Sequence, residues 1–221
     1  YHLAAKGWDD SILLERKSLT SGSTWHAAGL LPLFNMSYSV GQIHKYSVRF
    51  YQELQDETGM DVGFRKVSNI RLASTQDRMD EYLQYKGVAD TIGVEVNVLS
   101  PQEIKDCWPL VSTENLIGAI QHPEDGYIQP ADLTQAFAKG ARDKGAKIEI
   151  NTSVISIKRS PNDTWIVETD KGHIECEHVI SCSGNFARKT GKMVGLDVPV
   201  IPVEHQYLSL IHISEPTRHP L

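Results

Sequence analysis

The stretch YHLAAKGWDDSILLE, residues 1–15, decides the fold. Residues 1–6 are typical of the last turns of a helix, and Gly7 can take the left-handed conformation that ends one. Residues 11–15 form a short apolar run that ends in an acid, which indicates a buried strand. Helix, glycine, strand and acid in this order predict the second half of a βαβ nucleotide-binding unit, with Glu15 at the carboxyl end of a strand.

The acid of such a unit accepts hydrogen bonds from the ribose of a bound dinucleotide. We therefore predict that Glu15 binds ribose, with a solvated carboxylate at a strand end as the alternative. The glycine-rich turn G-x-G-x-x-G lies about 20 residues before the acid, which places it before residue 1. That turn supplies backbone N–H groups to the pyrophosphate. The chain as written is therefore expected to be inactive and to bind no stoichiometric cofactor.

The remaining sequence alternates between helical and strand patterns. An amphipathic helix is predicted over residues 40–57, with Ile43, Tyr46, Phe50 and Leu54 at helical spacing. Further predicted elements are strands at 69–73, 94–98, 116–122 and 147–150, helices at 78–92 and 131–144, a three-stranded meander within 153–176 and a buried strand at 179–182. This order predicts an α/β fold in which a nucleotide-binding lobe is interrupted by a second lobe and then resumed.

Composition and charge argue against several classes of protein. The 221 residues carry a formal net charge of −6 that is spread along the chain, which argues against a nucleic-acid partner because such proteins cluster Lys and Arg. No apolar run approaches the roughly 20 residues of a membrane helix, so no membrane span is predicted. The three cysteines have no metal-ligand spacing, so no metal site is predicted.

Several short motifs carry a family resemblance. They are GSTWHAAGL at 22–30, ETG at 57–59 with VGF at 62–64, IRLA at 70–73, HPEDGYI at 122–128 and IPVEHQY at 201–207. Together they resemble the FAD-dependent dimethylglycine and sarcosine dehydrogenase family of D-amino-acid-oxidase-like flavoproteins, over about residues 1–208. The Trp25–His26 pair is the most distinctive of these features.

The resemblance implies an FAD-binding Rossmann-like lobe interleaved with an antiparallel-sheet (α+β) substrate lobe. The FAD-binding lobe is expected at 1–33 and 131–200, and the substrate lobe at 34–130 with a return at 201–208. Residues 209–221 read like a translated sequencing adapter and are expected to be an artefactual tail, with a divergent C-terminal segment as the alternative.

The resemblance also implies the sites. His26 is expected to carry the flavin covalently through the 8α-methyl, and the alternative is a histidine hydrogen-bonded in a polar loop. The other cofactor-binding residues expected from the family are Ser23, Thr24, Trp25, Ala28, Gly29, Val154, Ser183 and Gly184. For Val154, whose backbone would face the adenine, core packing is an equal alternative. His122 is interpreted as structural or surface-exposed.

The predicted catalytic residues are His205 and Tyr207, which alternation places on one face of a strand. There they would orient the substrate and hold its carboxylate, with simple core packing as the alternative.

The activity implied is oxidative N-demethylation of dimethylglycine or sarcosine by hydride transfer to FAD. Tetrahydrofolate could act in a C-terminal region outside this chain. The electron acceptor, electron-transfer flavoprotein or oxygen, stays open, and the expected compartment is the mitochondrial matrix or a bacterial cytoplasm. The alternative function is that of a non-catalytic protein resembling the regulatory subunit of pyruvate dehydrogenase phosphatase.

Overall fold

The structure, a computed structural model, describes residues 1–204. Its helices are α1 (His2–Ala5), α2 (Tyr38–Thr58), α3 (Gln76–Ile92), α4 (Pro101–Cys107), α5 (Pro130–Asp143) and α6 (Ala187–Lys192). Its strands are β1 (Ile12–Leu14), β2 (Leu30–Leu31), β3 (Arg65–Lys66), β4 (Asn69–Ala73), β5 (Asn97–Leu99), β6 (Gly118–His122), β7 (Gly126–Tyr127), β8 (Lys147–Glu149), β9 (Val154–Arg159), β10 (Trp165–Thr169) and β11 (Gly172–Cys176). Short 3₁₀ turns lie at Ser23–His26 and Gly184–Phe186.

The chain divides into two compact units, residues 1–152 and the residues from 153 onward. In the first unit β1 and β8 form a parallel pair, with Ile12 opposite Lys147 and Leu14 opposite Glu149. The helix α5 precedes β8 and ends where Gly145 adopts a left-handed φ of +96°. A parallel pair reached through a helix is typical of a nucleotide-binding fold. The helix and strand predicted within residues 1–15 are α1 and β1.

Two antiparallel sheets occupy the rest of the first unit. The strand β6 lies between β4 and β5, and β7 lies between β2 and β3. Gly126 in β7 allows β3 to approach, because a Cβ at this position would lie 2.3 Å from the backbone oxygen of Arg65. We call residues 22–28 the Trp–His loop. The sheet centred on β7 therefore joins the segment after this loop to the segment that leads into β4.

Helices α2, α3 and α5 contribute to the two larger clusters of buried apolar side chains. One cluster joins α3 to β4 and β6 through residues that include Ala73, Tyr82, Tyr85, Ala89 and Ile120. A second cluster joins α2 to α5 through Phe50, Leu54, Val62, Ile128 and Ala136. A third, smaller cluster packs Ile104 of α4 against Leu99 of β5 and Ala119 of β6. Helix α4 begins with a capping box, in which Ser100 and Glu103 each accept a backbone N–H of the other.

The second unit contains the predicted meander. The strand β10 pairs antiparallel with β9 on one side and with β11 on the other. The Arg159 guanidinium lies 4.4 Å from the centre of the Trp165 ring, so these two side chains cover one face together. The predicted α/β class, with parallel and antiparallel sheets, is confirmed. The lobe boundaries at 33, 130 and 200 stay predictions.

Three local expectations are wrong. Residues 179–182 form no strand and their apolar side chains are exposed, because no strand among residues 1–204 pairs with them and an isolated strand leaves its backbone groups unpaired. Ile12 and Leu13 are also exposed rather than buried. The predicted apolar face of α2 is buried only at its second half: Ile43 and Tyr46 are 63% and 55% exposed.

Within residues 1–204, no helix combines the length and the apolar character that crossing a membrane requires.

Candidate functional site

Glu15 occupies the position that the βαβ pattern predicts. It directly follows β1, and its backbone N–H donates to the oxygen of Glu149 at 2.9 Å, which extends the parallel ladder by one residue. Its half-buried carboxylate accepts the backbone N–H of Lys17 at 2.9 Å through Oε1. One carboxylate oxygen is therefore held by the turn that follows. This geometry suits an acceptor for a vicinal pair of hydroxyls at a strand end.

The Trp–His loop forms a 3₁₀ turn over Ser23–His26, held by the N–H of Ala27 on the oxygen of Thr24 at 3.2 Å. Trp25 is 72% exposed, and His26 and Ala28 are exposed as well. An exposed indole presents a large apolar face with a polar N–H to whatever lies beyond this chain segment. The turn therefore presents an indole and an imidazole side by side on the surface of the first unit.

The exit of this loop is held tightly at Gly29. Its φ is +77°, and a Cβ there would lie 2.1 Å from the backbone oxygen of Ile128. The Ile128 N–H donates to the Gly29 oxygen at 2.8 Å, and Leu30 then pairs with Tyr127 as β2 joins β7. Only glycine fits this approach, so Gly29 fixes where the exposed turn meets the body of the unit.

A buried polar cluster lies directly behind this exit. Asp125 is 2% exposed, and its Oδ1 accepts the backbone N–H of Leu33 at 2.9 Å. The Tyr85 hydroxyl donates to the Leu33 oxygen at 3.2 Å, and Nε2 of the fully buried His122 lies 3.0 Å from that hydroxyl. Sequence reasoning missed this cluster. Of the two alternatives for His122, structural or surface-exposed, the structure shows the first, because the side chain is fully buried.

The charges in this cluster are strongly perturbed. Burial raises the pKa of Asp125 to about 6, against smaller opposing contributions from the Leu33 N–H and from the charges of Arg71 and His44. Burial, assisted by the Arg71 charge, lowers the pKa of His122 to about 4. Burial also raises the pKa of Tyr85 to about 12. At neutral pH His122 and Tyr85 are therefore uncharged, while Asp125 is ionised only because the pH exceeds its raised pKa.

Three of the predicted cofactor-binding residues lie in the second unit. Val154 begins β9, where its backbone lies in the ladder. Ser183 precedes the 3₁₀ turn and its Oγ lies 2.9 Å from that of Ser181. Gly184 has a φ of +51°, and no atom lies within 4 Å of where its Cβ would be. The space beside Gly184 would admit a cofactor surface, which fits the expected role without testing it.

The predicted catalytic residues His205 and Tyr207, like the tail at 209–221, lie outside the described residues. Among residues 1–204 no group of three or more His, Cys, Asp or Glu side chains is placed to hold a metal ion.

The chemistry of the first unit suits FAD. A carboxylate at the end of a parallel strand matches ribose hydroxyls, and an exposed imidazole on a glycine-flanked turn can reach a ring that is not part of the polypeptide. The two features lie on one chain segment separated by a single loop.

Comparison with known proteins agrees with this geometry. The sequence profile described as FAD dependent oxidoreductase (DAO) matches residues 1–220. The mitochondrial dimethylglycine dehydrogenase of Rattus norvegicus is 40% identical over 215 residues, which are 97% of this chain and 25% of the relative. The 4-methylaminobutanoate oxidase (formaldehyde-forming) of Paenarthrobacter nicotinovorans is 37% identical over 97% of this chain and 26% of its own length.

One relative is a regulatory subunit and not a dehydrogenase or an oxidase by name. The mitochondrial regulatory subunit of pyruvate dehydrogenase phosphatase from Mus musculus is 34% identical over 94% of this chain and 24% of the relative. Among solved structures, the L-proline dehydrogenase of P. horikoshii superposes with a TM-score of 0.81 at 24% identity, over 88% of this chain and 52% of that one. The chain thus spans about a quarter of the length of these curated relatives.

Proposed function

Because the chain belongs to the FAD-dependent oxidoreductase (DAO) family, we propose that the protein containing it oxidises an N-methyl amino acid and carries its FAD covalently on His26. The observation that carries this proposal is the exposed 3₁₀ turn with Trp25 and His26, whose exit is fixed by Gly29. Imidazole is a nucleophile, and the exposed position of His26 suits attack on a ring outside the chain.

Different residues of the first unit bind different parts of the cofactor. Glu15 accepts hydrogen bonds from the ribose hydroxyls, with its Oε1 already oriented by the Lys17 N–H. His26 provides the covalent link, and Trp25 shields that link on one side. Ser23 and Thr24 supply small hydroxyls on the same turn. The small, exposed Ala28 leaves room for a close approach of the cofactor, and Gly29, packed against Ile128, fixes the position of the turn beside it. In the second unit, Val154 offers backbone to the adenine, and Ser183 and Gly184 face the flavin.

When bound, FAD supplies an acceptor for two electrons, taken as a hydride equivalent from the N-methyl carbon of the substrate. The substrate is left as an iminium ion, and water hydrolyses this to formaldehyde and the demethylated amine. The protein contributes orientation of the amine and exclusion of competing water. His205 and Tyr207 are proposed to orient the amine and to hold the substrate carboxylate.

The substrate class follows from what the relatives share. Dimethylglycine and 4-methylaminobutanoate, named in two relatives, both combine an N-methyl amine with a carboxylate. We propose dimethylglycine or sarcosine as the substrate of the whole protein. Capture of the one-carbon unit by tetrahydrofolate, and electron delivery to electron-transfer flavoprotein or oxygen, would involve parts of the protein beyond residues 1–204. The mitochondrial names of several relatives favour the mitochondrial matrix as the compartment.

Anaerobic flavin reduction tests the activity directly. The full-length protein is mixed without oxygen with dimethylglycine, sarcosine or 4-methylaminobutanoate, and the flavin absorbance near its visible maximum is followed. Bleaching by dimethylglycine or sarcosine is expected, whereas glycine, which has the carboxylate and nitrogen but no methyl group, leaves the flavin oxidised. A flavin that none of these compounds reduces contradicts the proposed substrate class.

The second candidate is a regulatory protein without dehydrogenase activity, favoured by the 34% identity to the phosphatase regulatory subunit. The two functions differ in their need for the Trp25–His26 turn, since a regulatory protein has no need of a flavin link. A full-length protein purified without any flavin, and unable to bind added FAD, would support this candidate against the enzyme.

A further inference from the structure

The segment that follows the Trp–His loop is held more tightly than a short surface strand requires. We call residues 29–33 the strap. At its start the Gly29 oxygen accepts the Ile128 N–H at 2.8 Å, and the next two residues pair with β7. Farther along, Nδ1 of His44 donates to the Pro32 oxygen at 3.0 Å. The strap therefore has anchors from β7, α2 and the polar cluster behind it.

Leu33 ends the strap, and both of its backbone groups are taken by buried side chains. Its N–H donates to Oδ1 of Asp125 at 2.9 Å, and its oxygen accepts the Tyr85 hydroxyl at 3.2 Å. Asp125 is 92 residues away along the chain and belongs to the turn between β6 and β7. Side chains rarely bind both backbone groups of one residue unless that residue must be fixed, because backbone pairs usually satisfy them.

The hydrogen-bond directions form one consistent chain. The single proton of Tyr85 is donated to the Leu33 oxygen, so the contact with His122 requires Nε2–H of that histidine to donate to Tyr85. His122, being buried and neutral, can hold this tautomer. His122 thus orients Tyr85, Tyr85 binds the Leu33 oxygen, and Asp125 binds the Leu33 N–H. We call Tyr85, His122 and Asp125 the Leu33 clamp.

We propose that the Leu33 clamp positions the strap, and through it His26, for attachment of the flavin. This inference rests on the proposed function, because it concerns the residue that carries the cofactor. Its physical basis is that the strap joins the exposed turn to the buried cluster with only Ala27 and Ala28 between His26 and its first anchor. Loss of the clamp lets the strap move, and a displacement of about 1 Å is enough to slow a reaction that depends on orientation.

The test uses two tyrosines of α3 as a matched pair. Tyr85→Phe removes the hydroxyl that binds Leu33, whereas Tyr82→Phe removes a hydroxyl of the same helix that donates to the Leu72 oxygen, at 3.4 Å, outside the strap. Both rings are buried in the same cluster. Asp125→Ala removes the acceptor of the Leu33 N–H, and Asp125→Asn keeps an acceptor oxygen there and should rescue it.

The full-length protein, prepared without flavin, is mixed with FAD, and flavin that survives acid denaturation is followed with time. We expect Tyr85→Phe and Asp125→Ala to attach flavin roughly tenfold more slowly, the scale of one buried hydrogen bond, while Tyr82→Phe and Asp125→Asn attach it at close to the wild-type rate. Equal rates in all variants, or equal slowing in Tyr82→Phe and Tyr85→Phe, would overturn the proposal.

Hydrogen exchange separates this inference from the function on which it rests. The amide of Leu33 should exchange roughly tenfold faster in Asp125→Ala than in the wild-type protein, and this readout needs no flavin. A wild-type protein that never binds flavin covalently contradicts the proposed function, and the exchange rates then decide whether the clamp holds the strap. Unchanged exchange across residues 29–33 in Asp125→Ala and Tyr85→Phe would show that it does not.

Discussion

The buried pair of Asp125 and His122 should give the protein two opposite pH dependences that nearly cancel. The pKa of Asp125 rises from 3.8 to about 6 on folding, so the stability associated with it is fully present below 3.8 and is lost as the pH rises through 6. The pKa of His122 falls from 6.5 to about 4, so its contribution is present above 6.5 and is lost as the pH falls toward 4. The two changes run in opposite directions over the same range.

The magnitudes follow from the size of the shifts, at about 1.4 kcal/mol for each pH unit. Between pH 5 and pH 7 the Asp125 shift lowers the free energy of unfolding by about 1 kcal/mol, and the His122 shift raises it by about 2 kcal/mol. The wild-type protein should therefore change little. Asp125→Asn keeps only the histidine dependence and should gain stability with pH, whereas His122→Gln keeps only the carboxylate dependence and should lose it.

The assay is hydrogen exchange of the β6 strand in the full-length protein at pH 5, 6 and 7, corrected for the intrinsic exchange rate. This readout reports local opening of the strand that carries His122 and therefore does not need reversible unfolding of the whole protein. Arg71, His44 and Tyr85 also face this cluster. Tyr85, whose pKa is raised to about 12, stays uncharged across this pH range. If both variants keep the wild-type pH dependence, the two side chains do not titrate as their burial requires.

Three further results are expected. Glu15→Gln should weaken FAD binding by about 1–3 kcal/mol, the scale of a lost charged hydrogen bond, in a titration of the flavin-free protein; Glu149→Gln, beside Leu14 on β8, is the control and should leave the affinity unchanged. Gly29→Ala should remove flavin attachment and lower the melting temperature, because its Cβ would lie 2.1 Å from the Ile128 oxygen; normal flavin content in this variant would contradict the tight strap. Ser100→Ala should lower the stability of α4 by about 0.5–2 kcal/mol through loss of its capping box, measured as faster exchange in residues 101–107, and unchanged exchange would show that the cap does not hold this helix.

Local features of the fold and site could be predicted from the sequence. Glu15 follows from a helix, a glycine and a strand within fifteen residues, and the structure places it beside a parallel partner. The capping box at Ser100 is equally local. The Trp25–His26 turn was reached by family resemblance, and its exposure is the feature that the structure adds. The position of Glu15 at a strand end is confirmed because its signal depends on neighbours that are close in the chain. The role of the Trp25–His26 turn stays a prediction.

Features that depend on distant partners could not be predicted. The Leu33 clamp joins residues up to 92 positions apart, and a single sequence gives no sign that Asp125 faces Leu33. The one available signal was Asp125 in the turn motif HPEDGYI, since a buried carboxylate must find a donor. For residues 179–182 the sequence predicts a strand that does not form. An apolar run becomes a strand only where a neighbouring strand can pair with it. Ile43 and Tyr46 obey the helical period and are nevertheless exposed.

The central claim is that His26 carries the flavin, and peptide mapping tests it most directly. Trypsin should release residues 18–45, which contain two histidines, His26 and His44. The full-length holoprotein is digested after acid denaturation, and the fragment spectrum of this peptide locates the added flavin mass. We expect the mass on His26 and none on His44. A flavin located on His44 or on another peptide, or a holoprotein whose flavin is released entirely by acid, would contradict the account.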